Sequence, residues 1–309
     1  MKWNKKGPIF KLRRGKDWMN SHAQCPLPLL LEDKIRIYFS TRLENQQSLP
    51  VYIDVKRDAP DRILHFQTEP ILERGRPGTF DENGLIPNSL LRVNNSIYLY
   101  YAGWSQAKTV PYKNFTGLAV SNDNGDTFTK ISEAPVFTLN EFDPLSATGP
   151  LVVPINGAYW AIYSTGTKWH EIEGHLEHTY LFTCATSNDA IHWRPSGKII
   201  VAPNDEYEAM CKPAIIKLGD IYHMWFSVRG SHGFRKPGQT AYRLGYAWSK
   251  DLLNWNRDDV QAGIDISESG WDSEMICYPS IIEVEGKYLM FYNGNGFGKE
   301  GFGYAELDI

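Results

Sequence analysis

The stretch SEMICYPSII (residues 273–282) contains a proline, Pro279, that begins a short apolar run, and the chain repeats this pattern. Such runs occur about every 60 residues, a spacing typical of a repeat architecture. They are PLLL at Pro28, PNSLL at Pro87, PLVV at Pro150, PAII at Pro213 and PSII at Pro279. We therefore interpret each run as the first strand of one of five repeated units.

Each unit continues with further strands. An aromatic second strand follows each run, as in KYLMFYNGNG, and a third strand comes next. In three units the third strand ends in a Ser-x-Asp turn, whose aspartate is expected to satisfy nearby backbone donors in a tight hairpin. Fourth strands are predicted in ILHFQTEPIL, FTKISEAPVFTL, WRPSGKIIV and WNRDDVQAGIDI. The fifth unit ends without a fourth strand, and the N-terminal WNKKGPIFKL has the matching shape.

These units predict an all-β fold, a five-bladed β-propeller with four antiparallel strands per blade and the last blade closed by the N-terminal strand. A single blade cannot cover both of its faces, whereas neighbouring blades can, and circular closure leaves only short outer edges. The five units use the whole chain without a linker, so we expect a single domain over residues 1–309.

Composition narrows the class of partner. Aromatic residues make up 13% of the chain, which favours β structure. The formal net charge of −4 lacks the basic excess of a protein that neutralises phosphates, so no nucleic acid partner is expected. No apolar segment has the length of a membrane span and no signal peptide is evident, which predicts a cytoplasmic protein without a membrane partner. A carbohydrate substrate or ligand fits this composition better, and no cofactor or metal is predicted.

Carboxylates precede the predicted inner strands at a recurring spacing. Glu82, Glu208 and Glu274 each lie five residues ahead of an anchor proline, and Asp81 is beside the first of them. Because the innermost strand of each blade lines the central channel, we expect these acids to converge on one funnel at the channel mouth. Like charges in a concave site raise one another's pKa, which functional sites exploit. The alternative is that each acid caps a strand end or pairs with a cation of a neighbouring blade.

A second set of side chains is expected on the same rim. The predicted second strands end in polar and aromatic residues, and aromatic faces beside Arg and Asn suit sugar rings and their hydroxyl groups. Trp104 could equally pack between blades. The predicted substrate-binding residues are His22, Arg42, Trp104, Asp143, Trp169, Lys212, Arg229, Tyr278 and Asn293.

Histidines and cysteines receive structural interpretations. The segment GTKWHEIEGHLEHTY carries His170, His175 and His178, and its Glu-rich, Gly-broken setting predicts a solvated surface insertion rather than a metal site. Three cysteines lie two or three residues from inner-strand prolines. Small, buried, reduced packing residues are the favoured interpretation for Cys25, Cys211 and Cys277, with a thiol-based site as the alternative.

A resemblance to a known superfamily rests on three features of the sequence. They are the third-strand ends VSNDNGDTF, TSNDAIHW and WSKDLLNW, the acid-containing segments, and the closure of one blade by both termini. The chain resembles the superfamily of five-bladed propeller glycoside hydrolases that contains families 43, 62, 32, 68 and 130. This resemblance implies hydrolysis or transfer of a glycosyl unit by acidic residues in the funnel, with Glu208 at the general-acid position. The chain departs from the pattern in blade 1, where Cys25 rather than an aspartate precedes Pro26.

The resulting prediction is a glycoside hydrolase or transglycosidase. Glu208 would be the acid, Asp81 the base or nucleophile with Glu82 as its neighbour, and Glu274 a pKa modulator or second candidate. Blades 2 and 4 are not adjacent, so the wider carboxylate separation of an inverting enzyme is favoured. The alternative is a non-catalytic carbohydrate-binding propeller associated with glycan or cell-envelope polysaccharide synthesis. A protein-interaction scaffold is a third, weaker interpretation.

Overall fold

The computed structural model describes residues 1–13, 18–236, 238 and 240–308, and its regular structure is nearly all β-strand. The strands form five blades of four. The inner strands of blades 1 to 5 are β2 (Ser21–Leu30), β6 (Gly84–Val93), β10 (Ala147–Ile155), β14 (Ala209–Leu218) and β18 (Cys277–Val284). The second strands are β3 (Lys34–Arg42), β7 (Ser96–Gln106), β11 (Ala158–Ile172), β15 (Ile221–Arg229) and β19 (Lys287–Asn293).

The outer half of each blade follows the same order. The third strands are β4 (Ser48–Lys56), β8 (Tyr112–Ser121), β12 (His175–Ser187), β16 (Arg243–Ser249) and β20 (Phe302–Asp308). The outermost strands of blades 1 to 4 are β5 (Ile63–Phe66), β9 (Thr129–Lys130), β13 (Arg194–Pro195) and β17 (Asn256–Arg257). Blade 5 is completed by β1 (Lys2–Phe10), which pairs antiparallel with β20. The predicted five-bladed all-β propeller and its closure by the N-terminal strand are confirmed.

The outermost strands are shorter than predicted. β9, for example, pairs only two of its residues with β8, and the chain then leaves the sheet. Beyond the short strands the chain returns to the third strand at single points, as the buried Phe137 does by its bridge to Thr116 and the buried Ile200 by donating its N–H to Phe182 O over 2.9 Å. An outer edge has no further strand to pair with, so short pairing there leaves fewer exposed backbone groups.

The inner strands close into a ring. β2 contacts β6, β6 contacts β10, β10 contacts β14, β14 contacts β18, and β18 returns to β2. Apolar clusters fill all five interfaces between neighbouring blades, for example Leu49 with Leu99 between blades 1 and 2, and Phe182 with Met224 between blades 3 and 4. Each blade therefore buries its faces against its neighbours. That residues 1–309 form one domain stays a prediction.

In four blades a polar side chain ties the second strand to the inner strand of the next blade, by a hydrogen bond to a backbone group across the interface. The bonds are Ser40 Oγ to Leu85 O (2.7 Å), Ser164 Oγ to Met210 O (2.9 Å), Tyr278 N to Ser227 Oγ (2.6 Å) and Asn293 Nδ2 to Ala23 O (2.7 Å). These bonds satisfy buried polar groups and fix the inner strands around the axis.

The predicted Ser-x-Asp turns are present. In each turn the serine hydroxyl contacts the aspartate, and the aspartate or serine accepts backbone N–H groups of the following residues. The Ser Oγ to Asp Oδ1 distances are 2.6 Å for Ser121 and Asp123, 2.9 Å for Ser187 and Asp189, and 3.1 Å for Ser249 and Asp251.

Helical structure is confined to two single turns in the described residues, Asp259–Ala262 and Asn295–Gly298. Within the part of the chain that the structure describes, no helix is long and apolar enough to cross a membrane.

Candidate functional site

A bulge in the inner strands aims one residue of each blade toward the propeller axis. In four blades this residue directly precedes a proline and has a left-handed backbone, with φ of 59° at Cys25, 66° at Gly149, 55° at Lys212 and 57° at Tyr278. Asn88 occupies the bulge of blade 2. A left-handed conformation costs a residue other than glycine about 1–3 kcal/mol, and such strain is concentrated at functional sites.

These five residues form the floor of a cavity of about 360 Å³, which we call the funnel. Its wall is built from aromatic rings and amides contributed by blades 1 to 4, namely Trp104, Tyr112, Tyr180, Tyr242, Gln24, Gln46 and Asn114. Two cations, Arg42 and Lys212, also line it. No aspartate or glutamate belongs to the lining among the described residues. The size and the mixture of aromatic and polar groups are those of a small-molecule site.

The aromatic wall is held by specific hydrogen bonds. Trp104 Nε1 donates to Ser48 Oγ over 3.1 Å, where blades 1 and 2 meet. Gly84 lies beneath this contact, and a Cβ there would come within 2.4 Å of Trp104 Nε1, so the close approach requires glycine. On the opposite wall the hydroxyl groups of Tyr180 and Tyr242 are 2.9 Å apart.

Two lining residues offer hydrogen-bonding atoms that the protein leaves unused. Asn114 Oδ1 and Thr148 Oγ1 are buried and have no partner within the described residues. An unsatisfied buried polar atom costs about 1–3 kcal/mol. A ligand hydroxyl group would supply the missing partners.

The two lining cations are poorly solvated. Lys212 is 4% exposed, and its Nζ donates to Asn88 O over 2.6 Å. Burial lowers the pKa of Lys212 to about 8, while the neighbouring thiols of Cys25 and Cys211 act in the opposite direction. Burial also lowers the pKa of Arg42, whose Nη2 donates to Gln24 Oε1 over 3.1 Å. The funnel is therefore a positively charged, largely apolar concavity.

The cysteines are free, and two of them line the funnel. Burial raises the pKa of Cys25 to about 12 against the influence of Lys212, and burial likewise raises the pKa of Cys211. Cys277 is fully buried beneath them. All three are therefore neutral thiols near pH 7, as expected for packing residues. Among the described residues, no three His, Cys, Asp or Glu side chains are grouped so that they could hold a metal ion.

The prediction that the acids converge on the funnel is wrong. Asp81 is 1% exposed and is bound by Lys130 Nζ (2.6 Å) and Tyr101 OH (3.0 Å), away from the lining. Glu82 lies in an outer groove, where its carboxylate accepts from Gly78 N over 2.7 Å. The loop ahead of the inner strand carries both residues to the side of the blade rather than to the axis.

Glu208 and Glu274 are also outside the lining. Glu208 forms a two-pronged ion pair with Arg257, at 2.6 and 2.9 Å. Glu274 is exposed. It is bonded to Asn295 Oδ1 through its backbone N–H, over 2.8 Å, rather than through its carboxylate. The catalytic roles predicted for these acids, and the inverting separation predicted between Glu208 and Asp81, stay predictions.

Three of the buried aspartates repeat a structural unit. Each accepts the hydroxyl group of a tyrosine 20 residues later on the second strand, and a side-chain donor from elsewhere. The units are Asp81 with Tyr101 and Lys130, Asp143 with Tyr163 and Asn140, and Asp272 with Tyr292 and Lys5. Blade 4 has Phe226 at the tyrosine position, and there Glu208 and Arg257 form the pair with the guanidinium over the Phe226 ring. Asp143, predicted to bind substrate, is therefore a packing group outside the lining.

The remaining predicted residues divide into lining and supporting groups. Arg42, Trp104, Lys212 and Tyr278 line the funnel. Asn293 is fully buried and shapes the floor, because its Oδ1 accepts from Cys25 N over 2.7 Å.

Three other predicted residues lie behind the lining. Arg229 is buried behind the wall, where its guanidinium lies 3.8 Å from the centre of the Phe234 ring and donates to His178 O. His22 is half-buried beside Arg42, and burial, followed by Arg42, lowers its pKa to about 4. Trp169 stacks on His178 with ring centres 4.2 Å apart, next to Tyr112.

The histidine-bearing segment is not a solvated insertion. It forms the extended hairpin of β11 and β12, in which His170 and His178 are 6% and 2% exposed. His175 at the hairpin tip is exposed. The aromatic side chains Trp169, Tyr112 and Tyr180 surround His178 and account for its burial.

Comparisons with known proteins give relatives along the whole chain. No family model matches the sequence. The chain is 36% identical over 310 residues to the uncharacterized protein Rv1502 of Mycobacterium tuberculosis, and the match covers 100% of both chains. It is 26% identical over 169 residues to a 1,2-beta-oligomannan phosphorylase of Thermoanaerobacter sp., which covers 53% of this chain and 52% of that protein.

Solved structures share the fold at low identity. A glycosyl hydrolase from Bacteroides ovatus superposes with a TM-score of 0.75 at 15% identity, covering 99% of this chain and 93% of that one. A structure of the GH130 family, described as containing mannoside phosphorylases and glycoside hydrolases that target beta-1,2 mannosidic linkages in Candida mannan, gives 0.75 at 14% identity, covering 99% and 93%. The fold is thus that of the glycoside hydrolase propellers that the sequence resembles.

Proposed function

The chain belongs to the family of the uncharacterized protein Rv1502 of Mycobacterium tuberculosis, and we propose that it is a carbohydrate-active enzyme whose substrate binds in the funnel. The observation that carries the proposal is the lining of the funnel. Aromatic faces such as Trp104 stand beside amide groups and unused buried acceptors such as Asn114 Oδ1. Sugar rings present C–H faces for stacking and hydroxyl groups for hydrogen bonds, so they match both kinds of group.

The relatives support a glycosidic bond as the target. The partial relative is named as a phosphorylase of a 1,2-beta-oligomannan, and fold neighbours are described as glycoside hydrolases. Because fold alone does not determine reaction, these names contribute by analogy. Hydrolysis by a pair of carboxylates needs two acids flanking the bond. No described lining residue is an acid, so we favour phosphorolysis, in which hydrogen phosphate attacks the anomeric carbon, the bond to the leaving sugar breaks, and the leaving oxygen takes up the proton of the phosphate.

Product analysis tests the proposal. The protein is incubated with a panel of neutral oligosaccharides, with and without inorganic phosphate, and products are separated by anion-exchange chromatography. Free sugar formed in both conditions indicates hydrolysis, and a glycosyl phosphate formed only with phosphate indicates phosphorolysis. We expect Trp104→Ala to abolish turnover, whereas Trp160→Ala, outside the lining, should retain it. Equal turnover by both variants would contradict the funnel as the site.

A second candidate is the non-catalytic carbohydrate-binding propeller. The absence of an acid from the described lining favours it, because a binding site needs no proton donor. It predicts calorimetric binding of a saccharide that Trp104→Ala weakens, with no product after long incubation. Any accumulation of product with wild type and not with Trp104→Ala would exclude it.

A further inference from the structure

Lys212 is a buried cation without a counter-charge. Its side chain projects from the strained bulge of β14 into the funnel, and Asn88 O is the acceptor of its hydrogen bond. No ion pair joins it to a carboxylate in the described part of the chain. An ammonium group has three donors, so Nζ keeps two N–H groups for a ligand.

Arg42 is the second cation of this kind. It ends β3, lines the same cavity and donates to the neutral amide of Gln24. The residues that the structure describes offer it no carboxylate partner either. Both cations line the same cavity as Cys25.

Most of the other cations buried in the described residues are paired with a carboxylate. Arg36 pairs with Asp54 at 2.8 Å, Arg257 pairs with Glu208, and Lys5 pairs with Asp272 at 2.7 Å. Arg229, behind the wall, instead donates to the carbonyl groups of Gly230 and His178 and lies against the Phe234 ring. Burial of an unpaired charge is costly, and proteins normally pair such groups or neutralise them. Two unpaired cations in one acid-free cavity, in a chain with a net charge of −4, therefore indicate a missing anion.

We propose that Lys212 and Arg42 form an oxyanion subsite at the floor of the funnel, which holds the phosphate or carboxylate group of the carbohydrate ligand or a free phosphate beside it. This inference rests on the proposed function, because it places the anion in the same funnel as the sugar. Lys212 acts as a point charge and Arg42 offers a planar set of donors, a combination suited to tetrahedral and planar oxyanions alike. The oxyanion replaces the carboxylate that each cation lacks.

The titration of Lys212 agrees with this role. With its pKa lowered to about 8, the amine is mainly charged at pH 7 and loses its charge by pH 9. The facing groups are Arg42, which stays charged, the thiols of Cys25 and Cys211, and the Tyr278 hydroxyl, whose pKa burial raises. None of these supplies a negative charge near neutral pH, so the positive charge of the floor is free for a ligand.

Calorimetric titration with matched ligands tests the subsite. The neutral probes are mannose and glucose. Their anionic counterparts are mannose 1-phosphate for mannose, and glucose 1-phosphate and glucuronate for glucose, and inorganic phosphate is titrated alone. We expect at least one anionic sugar, or phosphate, to bind wild type at least tenfold more tightly than the neutral sugar. Lys212→Met should remove that preference, and Lys212→Arg should keep most of it. Lys217→Met, on the exposed end of the same strand, should change nothing.

The outcomes separate the sources and the two proposals. Binding of inorganic phosphate that Lys212→Met abolishes assigns the subsite to free phosphate, and selective binding of a sugar phosphate or glucuronate assigns it to the ligand's own group. Equal affinity for neutral and anionic sugars, or an unchanged preference in Lys212→Met, overturns the subsite but leaves sugar binding intact. Phosphate binding without any saccharide binding or turnover retains the subsite and refutes the proposed function. If Lys212→Met does not fold, the wild-type protein still tests the subsite. Its preference for the anionic ligand over the neutral sugar must fall between pH 7 and pH 9, and an unchanged preference overturns the inference.

Discussion

Two sets of charges lie close to the inner strands, and they differ in whether the protein supplies their partners. The buried acids of the preceding loops are bound within their own blade, as Asp81 is by Tyr101 and Lys130. The cations of the floor, Lys212 and Arg42, line the funnel and have no described carboxylate. In a repeat fold, a charge with a partner in its own repeat is part of the architecture. A buried charge that faces a cavity and has no partner there marks the place of a ligand.

Removing an acid should cause the largest effect. Asp272→Ala leaves Lys5 and the Tyr292 hydroxyl without their acceptor, and we expect the free energy of unfolding to fall by about 3 kcal/mol. Urea denaturation measures this loss. Asp272→Asn, which can still accept from Tyr292, should lose less, and ligand affinity of the folded fraction should not change. A loss below about 1 kcal/mol, or a loss of affinity at full stability, would show that this acid is not architectural.

Removing the charge of Lys212 should instead raise the free energy of unfolding. Lys212→Met keeps a long, unbranched side chain and deletes an unpaired buried charge. We expect the ligand-free protein to gain about 1–3 kcal/mol in free energy of unfolding at pH 7. Lys217→Met, which replaces an exposed lysine of the same strand, should stay within about 0.5 kcal/mol of wild type. Destabilisation by Lys212→Met would mean that the ammonium group has a structural role comparable to that of the acids.

The affinity for an anionic ligand should depend on pH through the charge of Lys212. Since the pKa of Lys212 is about 8 in the folded protein, its charge is present below pH 8 and is lost above it. Affinity for an anionic ligand should therefore fall by about tenfold between pH 7 and 9. Isothermal titration at both pH values measures this change, and a neutral sugar is the internal control. A fall of the same size for both ligands would point to a general pH effect rather than to Lys212.

The smallest effect is expected at Glu274. Its carboxylate is exposed, so Glu274→Gln should alter stability by less than about 0.5 kcal/mol and leave ligand affinity within about twofold. Thermal unfolding and the same titration check both values. A large loss of turnover in this variant would return the acid to the catalytic role that its sequence position suggested.

The fold could be predicted because its signals are local and repeated. The proline-led runs mark the inner strands, and WNKKGPIFKL at the N-terminus matches the outer strands in shape. The length of the outer strands could not be predicted, because it depends on how far the sheet edge stays paired. β9 and β13 pair over two residues each.

The site was only partly predictable. Arg42, Trp104, Lys212 and Tyr278 lie in the funnel, whereas the acids were misplaced because spacing along a strand does not reveal the partner of a side chain. A signal was nevertheless available in the sequence. The separation of 20 residues between each buried aspartate and its tyrosine, as in Asp81 with Tyr101, recurs in blades 2, 3 and 5. This recurrence indicates a structural unit rather than a catalytic ring.

A crystal structure of the protein soaked with the best-binding saccharide tests most directly whether the funnel is the ligand site. We predict that the sugar ring lies in the funnel beside Trp104, with an oxyanion about 3 Å from Lys212 Nζ. A sugar bound between Glu208 and Asp81, with the funnel empty, would contradict the account.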